Sequence, residues 1–165
     1  MKLLFKGINL LIIIAAAGLL SACSVSREAN KTKKDINGNW FLKTIVTEGI
    51  EASYKAKIFN EADFSCFIGS AWNFASHKNT GIYTIVDKQK DCPPVKRNIS
   101  WSVYEPQDSA KQFRFKRLDD KKDPLDNGTT FRFTITKLDN KEMKLRSDII
   151  FEDHPAAVIY NFVRN

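Results

Sequence analysis

Three cysteines, two histidines and a short run of aspartates are the residues of this 165-residue chain whose types could carry chemistry. Cys23 follows Leu20-Ser21-Ala22, whereas Cys66 and Cys92 stand apart in the middle of the sequence. No Cys-x-x-Cys is present, so neither thiol exchange nor a zinc site is indicated. His77 and His154 fall in turn-like stretches and read as solvated turn residues. Asp119-Asp120 and Asp123 could chelate a hard cation, but Lys121 and Lys122 stand between them, and a solvated turn is the plainer reading. There is no Gly-x-Ser-x-Gly elbow and no glycine-rich phosphate loop. The chain is therefore expected to be no enzyme, with no metal and no cofactor.

Cys23 has the most informative surroundings. Lys2 and Lys6 precede an apolar run from Leu10 to Leu20, the make-up of a secretory leader. The run falls short of the ~20 apolar residues that span a bilayer. Leu20-Ser21-Ala22-Cys23 resembles the lipobox of bacterial lipoproteins. The resemblance implies a diacylglyceryl group on the Cys23 thiol and cleavage just before it, against the alternatives of an ordinary signal peptide or an uncleaved anchor. Several acyl chains, at ~0.8 kcal/mol per buried methylene, make such attachment lasting. Residues 1–22 are then a signal peptide and 37–165 a folded domain. Residues 23–36 between them are polar, and are expected to be a lipidated, disordered tether. The expected location is the cell envelope, at the outer membrane. No acidic run follows Cys23 of the kind that sends some Gram-negative lipoproteins to the cell surface, which favours the periplasmic face.

Without the leader about 140 residues remain, a usual size for one domain with a core. The net charge of the whole chain is +7, and loss of Lys2 and Lys6 lowers it to +5. Acids are interleaved with the bases, unlike the clustered stripe of a nucleic-acid binder; no nucleic-acid partner is expected. Cys66 and Cys92 are left as an even pair in an oxidising compartment. Joined, they would close a loop of about 27 residues, worth roughly 3–4 kcal/mol in the chain-entropy model; the alternative is two buried free thiols.

Short strands follow one another from Trp40 onward. Segments 39–47, 70–76, 80–87, 98–105, 111–118, 129–138, 142–151 and 156–164 are rich in aromatic and β-branched residues, with turn residues between them. A short strand over 54–59 is also indicated. Residues 59–67 read as a turn of helix with Asn60 as N-cap and with Phe64 and Phe67 facing inward. Phe131, Phe133 and Ile135 alternate with Thr130, Arg132, Thr134 and Thr136, which means one buried and one wet face. The fold expected is all-β, an antiparallel up-and-down barrel of about eight strands, with a sandwich as the alternative.

Gly38-Asn39-Trp40 opens the first strand, and Arg164 stands near the end of the last. Placed so, they resemble the Gly-x-Trp signature and closing arginine of lipocalins and of small bacterial lipocalin-like lipoproteins. The resemblance covers about residues 37–165, and implies that Arg164 packs over Trp40 and closes one end of the barrel, a cation–π contact worth ~0.5–2 kcal/mol. Phe59…Cys66, Trp72-Asn73-Phe74 and Gly81-x-Tyr83 are also similar to lipocalin-like lipoproteins of Gram-negative gut bacteria, where a cysteine after a short helix pairs with one beyond the next hairpin. The chain is shorter than vertebrate lipocalins and lacks their C-terminal helix.

Candidate cavity-wall residues, by inward parity on the strands, are Trp72, Phe74, Tyr83, Trp101, Tyr104, Phe115, Phe131 and Phe133. An eight-stranded barrel is just wide enough to be filled by side chains or to hold one small ligand. Two functions follow: a monomeric, membrane-anchored binder of a small apolar or amphipathic ligand, or a filled-barrel module that binds a protein or envelope component through its surface or loops. Substitution Cys23→Ala is expected to release the protein into soluble fractions on cell fractionation; persistence in the membrane would contradict lipidation.

Overall fold

The computed structural model describes residues 27–51, 57–86 and 92–164; the leader and Cys23 lie outside the described residues. A helix over 27–36 (α1) comes first. Strands follow at Gly38–Glu48 (β1), Lys57–Ile58 (β2) and Ala62–Asp63 (β3), then a single helical turn at Phe64–Phe67 (α2). After it come Ala71–Ala75 (β4), Thr80–Ile85 (β5), Val95–Tyr104 (β6), Gln112–Leu118 (β7), Phe131–Leu138 (β8), Glu142–Phe151 (β9) and His154–Arg164 (β10).

Alternation of side chains produces the architecture. In β5, Gly81, Tyr83 and Ile85 are buried between more open neighbours, and in β7 Phe113, Phe115 and Arg117 alternate in the same way. A strand of period two has one apolar face, and antiparallel neighbours keep those faces together. Eight strands close in the order β1-β10-β9-β8-β7-β6-β5-β4, with β1 paired to both β10 and β4. Each barrel strand neighbours the next in sequence, so the barrel is up-and-down and antiparallel. Closure leaves no free edge among these strands. The hairpin β2–β3 forms a separate two-stranded sheet.

One end of the barrel is sealed. Trp40 pairs with Arg164 on one side and Trp72 on the other. The Arg164 guanidinium carbon lies 4.4 Å above the centroid of the Trp40 ring, the contact that the resemblance implies. Trp40 Nε1 donates to the carbonyl of Ile36 at 2.7 Å, and Arg164 Nη2 to that of Asp35 at 2.5 Å. Gly38 has φ +112°, and a side chain there would meet Arg164.

Residues 27–36 correct the expectation of a disordered tether reaching residue 36. They are helical, with Thr32 and Ile36 at 4% and 0% exposure. Thr32 Oγ1 donates to Glu105 at 3.4 Å, and Lys111 bridges Glu28 and Glu105 at 3.2 and 3.1 Å. Ala29, Thr32 and Ile36 fall at i, i+3 and i+7, a narrow helical stripe hidden among lysines. This helix lies across the sealed end and belongs to the folded unit.

Two further boundaries differ from expectation. The helix within 59–67 is only Phe64–Phe67, capped by Asp63, whose carboxylate accepts from Ser65 N at 2.9 Å, rather than by Asn60. Of the 54–59 strand only Lys57–Ile58 is seen, with 52–56 outside the described residues. Cys66 and Cys92 are disulfide-bonded, which ties α2 to the segment leading into β6.

Gly81 is buried between Phe74 and Ile99. A Cβ there would lie 2.6 Å from the backbone oxygen of Asn73 and 3.2 Å from side-chain atoms of Phe74 and Ile99. Backbone cannot yield cheaply, so Gly81→Ala is expected to cost about 1–3 kcal/mol, read as a lower urea midpoint with unchanged slope. An unchanged midpoint would show that β4 and β5 have room to separate.

Candidate functional site

Opposite the sealed end, the hairpin β2–β3 and α2 cover the barrel mouth. The turn Ile58–Glu61 closes with Glu61 N–H donating to the Ile58 carbonyl at 3.1 Å. Its central residues, Phe59 and Asn60, have φ of 54° and 52°. Asparagine tolerates this left-handed conformation, whereas for most L-residues it costs about 1–2 kcal/mol. A bulky aromatic held there needs compensation from its surroundings. The compensation is visible: the Phe59 ring, 7% exposed, reaches into the barrel and is surrounded by aromatics. Phe67, Trp72, Phe115, Phe131 and Phe133 meet it edge-on with centroids 5.1–6.1 Å away, and Tyr160 stacks on it at 5.6 Å. Such pairs each contribute ~0.5–1.5 kcal/mol beyond burial.

Glu61 holds the same turn from the other side. Its Oε2 accepts from the Tyr83 hydroxyl at 2.6 Å, Arg97 Nε at 2.9 Å and Arg117 Nη1 at 2.6 Å; its Oε1 accepts from Arg97 Nη2 at 2.8 Å. Arg117 in turn grips Asp126 through two parallel bonds of 2.7 and 2.8 Å. Burial alone would raise the Glu61 pKa. Hydrogen bonds from Arg97, Tyr83 and Arg117, with the Arg117 charge, outweigh it and hold the carboxyl at about 2 instead of 4.5. Burial and the Glu61 carboxylate together push the Tyr83 phenol up. One side chain from the hairpin is thus fastened to β5, β6 and β7.

Beside Phe59 an apolar cleft of about 240 Å³ remains at the mouth. Ile50, Ile58, Phe64, Phe131, Phe133, Ile149, Phe151 and Val158 supply its walls, with Thr47 and Ser147 among them and Lys57 and Arg132 also on its lining. Tyr160 lines it too. That residue is 4% exposed, its hydroxyl has no hydrogen-bond partner among the described residues, and burial alone pushes its pKa up.

Of the expected cavity-wall residues, Trp72, Phe74, Tyr83, Trp101, Phe115 and Phe133 are buried in the barrel core. Phe131 is half-buried against them, and only Phe131 and Phe133 also line the cleft. Most of the aromatics therefore fill the barrel instead of enclosing a void. Tyr104 is a correction: it is 45% exposed on the outer face, with the Arg114 guanidinium 3.8 Å above its ring. Trp101 and Tyr104 are three residues apart on one strand, an odd spacing that sends them to opposite faces. Tyr160, two residues before Phe162 on the same inward face, is the site residue that this parity would have found. Neither Phe59 as an axial plug nor Glu61 as its fastening has a local sequence signal.

His77 and His154 are exposed. Asp119 accepts at Oδ1 from Asp123 N at 2.8 Å, so this aspartate shapes a turn. No three His, Cys, Asp or Glu side chains converge on a metal position among the described residues. No family model and no curated protein sequence matches the chain. Among solved structures, one of apocrustacyanin C1 is similar, at 12% identity and a TM-score of 0.46, over 86% of this chain and 67% of that one. Similarity at this level adds nothing to what the strand pairing already defines.

Substitution Glu61→Gln removes the charge between two guanidiniums and is expected to cost roughly 2–4 kcal/mol at neutral pH. The folded-state pKa of Glu61 is depressed, so its contribution is complete above the unfolded value of 4.5 and fades as pH falls toward about 2. The stability gap between wild type and variant should therefore be constant above pH 5 and close below 4.5. A gap that stays open at pH 2 in urea titrations would contradict the role of the carboxylate charge.

Proposed function

We propose that the protein is a membrane-anchored, lipocalin-like binder of a small apolar or amphipathic ligand, received at the barrel mouth. The observation that carries this is the apolar cleft at the unsealed end of an otherwise filled barrel. Binding sites are typically apolar concavities with few polar groups, and this cleft has that make-up. Lys57 and Arg132, with no carboxylate partner among the described residues, suit the polar end of an amphipath.

Anchoring through Cys23 gives the site a direction. Four peptide steps separate Cys23 from Arg27, at most about 14 Å of extended chain. Helix α1 lies on the sealed end, so lipid on Cys23 would hold that end toward the bilayer and leave the mouth facing away. On this reading the ligand comes from the periplasmic side of an outer membrane rather than from the leaflet beneath the barrel.

The alternative, a filled module acting through its surface, is favoured by one feature. Ile149 and Ile150, 36% and 72% exposed, form an apolar tip beside the mouth. A fluorescent amphipath, dansylaminoundecanoic acid, separates the two. The binder reading expects saturable one-to-one binding in the micromolar range, weakened at least tenfold by Ile149→Glu at the rim of the cleft. Absence of saturable binding to the folded wild type would favour the surface module.

A further inference from the structure

We propose that Phe59 is a resident plug in the ligand site, and that the ligand which displaces it carries an uncharged aromatic ring with a carbonyl-type acceptor for the Tyr160 hydroxyl. The inference rests on the cleft being the binding site and names the class of molecule that it takes.

Geometry supplies the first part. The space around Phe59 is already a box for a single flat ring, with edges of Phe67, Trp72, Phe115 and Phe133 around it and the Tyr160 face stacked upon it. Edge-to-face surroundings of this kind suit an aromatic quadrupole and give an aliphatic chain no equivalent contacts. The box opens directly into the cleft, because Phe59, Phe133 and Tyr160 line both.

Size supplies the second. The cleft alone, about 240 Å³, is below the roughly 300–1,000 Å³ of typical ligand pockets. Withdrawal of the Phe59 ring would enlarge it inward. An aromatic-lined void is receptive to such an occupant: an engineered apolar cavity of about 150 Å³ in another protein stays dry and takes up benzene.

Mobility of the plug is the third. Hairpin β2–β3 pairs with no barrel strand among the described residues, and Phe59 occupies a left-handed conformation that is unfavourable for an aromatic residue. Turning the ring out therefore relieves backbone strain that the ring's contacts otherwise offset. Glu61 can stay bound to Arg97 and Arg117 while the backbone of 58–60 turns the ring out, since the fastening lies two residues further on.

The hydroxyl of Tyr160 completes the specificity. It has no hydrogen-bond partner among the described residues, yet it is not sealed from solvent, since Arg164 Nε is the one fully buried side-chain polar atom among them that lacks a partner. Tyr160 lines the cleft, so its hydroxyl is left for an incoming acceptor. A phenol is protonated at neutral pH, so the hydroxyl is available as a donor. A carboxylate beside it would have to be desolvated among aromatic walls, so a neutral carbonyl is the better complement.

Prodan, a fluorescent aryl ketone whose emission reports polarity, is the probe. Phe59→Ala, checked for cooperative unfolding, should bind prodan at least tenfold more tightly than wild type, with blue-shifted emission. Adding Tyr160→Phe should reverse the gain about tenfold without lowering the melting temperature. Should Phe59→Ala not fold, Phe59→Leu and the single Tyr160→Phe variant carry the test, with affinity raised by the first and lowered by the second. Equal prodan affinity in wild type and a folded Phe59 variant, or no effect of Tyr160→Phe, would overturn the inference. If dansylaminoundecanoic acid still binds in that case, the cleft remains a binding site of another class; if neither probe binds, the underlying reading fails as well.

Discussion

Everything at the working end of this barrel depends on one turn. Within Ile58–Glu61 the chain places a phenyl ring on the barrel axis and, two residues later, a carboxylate between two guanidiniums. The first act fills the interior. The second fastens the filling to β5, β6 and β7. A left-handed Phe59 would be unfavourable in isolation, and it persists because six aromatic neighbours and the Glu61 network over-determine it. The barrel is therefore neither an empty cup nor a featureless core, but a filled cylinder with a small apolar recess beside its plug.

The parts of the fold that obey a local period were legible in the sequence. Alternation in Phe131–Ile135 marks an inward face, runs of aromatic and β-branched residues mark the strands, and turn residues between them mark the meander. Gly38-Asn39-Trp40 and Arg164 marked the two chain ends that meet, because antiparallel closure brings the last strand beside the first. Two features depart from the expected arrangement. Tyr104 is on the outer face, where strict parity from Trp101 sets it. Residues 27–36 hide their helix because only Thr32 and Ile36 are buried, with Ala29 half-buried in line with them, and lysines are prominent in the composition.

The candidate site was less legible for a physical reason. Its central contacts are made between residues far apart in sequence, with no periodic pattern to announce them. Glu61 meets Arg97 and Arg117, and Phe59 meets Phe115, Phe131 and Tyr160, only after the barrel has closed. Whether aromatic residues on an inward face wall a cavity or fill it is decided by one side chain entering from a loop. Sequence parity counts the wall and is blind to the plug.

The two ends of the molecule then divide the work. Helix α1, Trp40 and Arg164 seal the end nearest the proposed lipid, and the hairpin, α2 and the Cys66–Cys92 bridge shape the mouth. Native mass spectrometry of the Cys23→Ala protein, purified without detergent from the soluble fraction into which it is expected to be released, tests this account most directly. The account predicts a population carrying one retained small molecule, lost on Ile149→Glu. A uniformly empty barrel that also fails to take up any offered apolar ligand would contradict it.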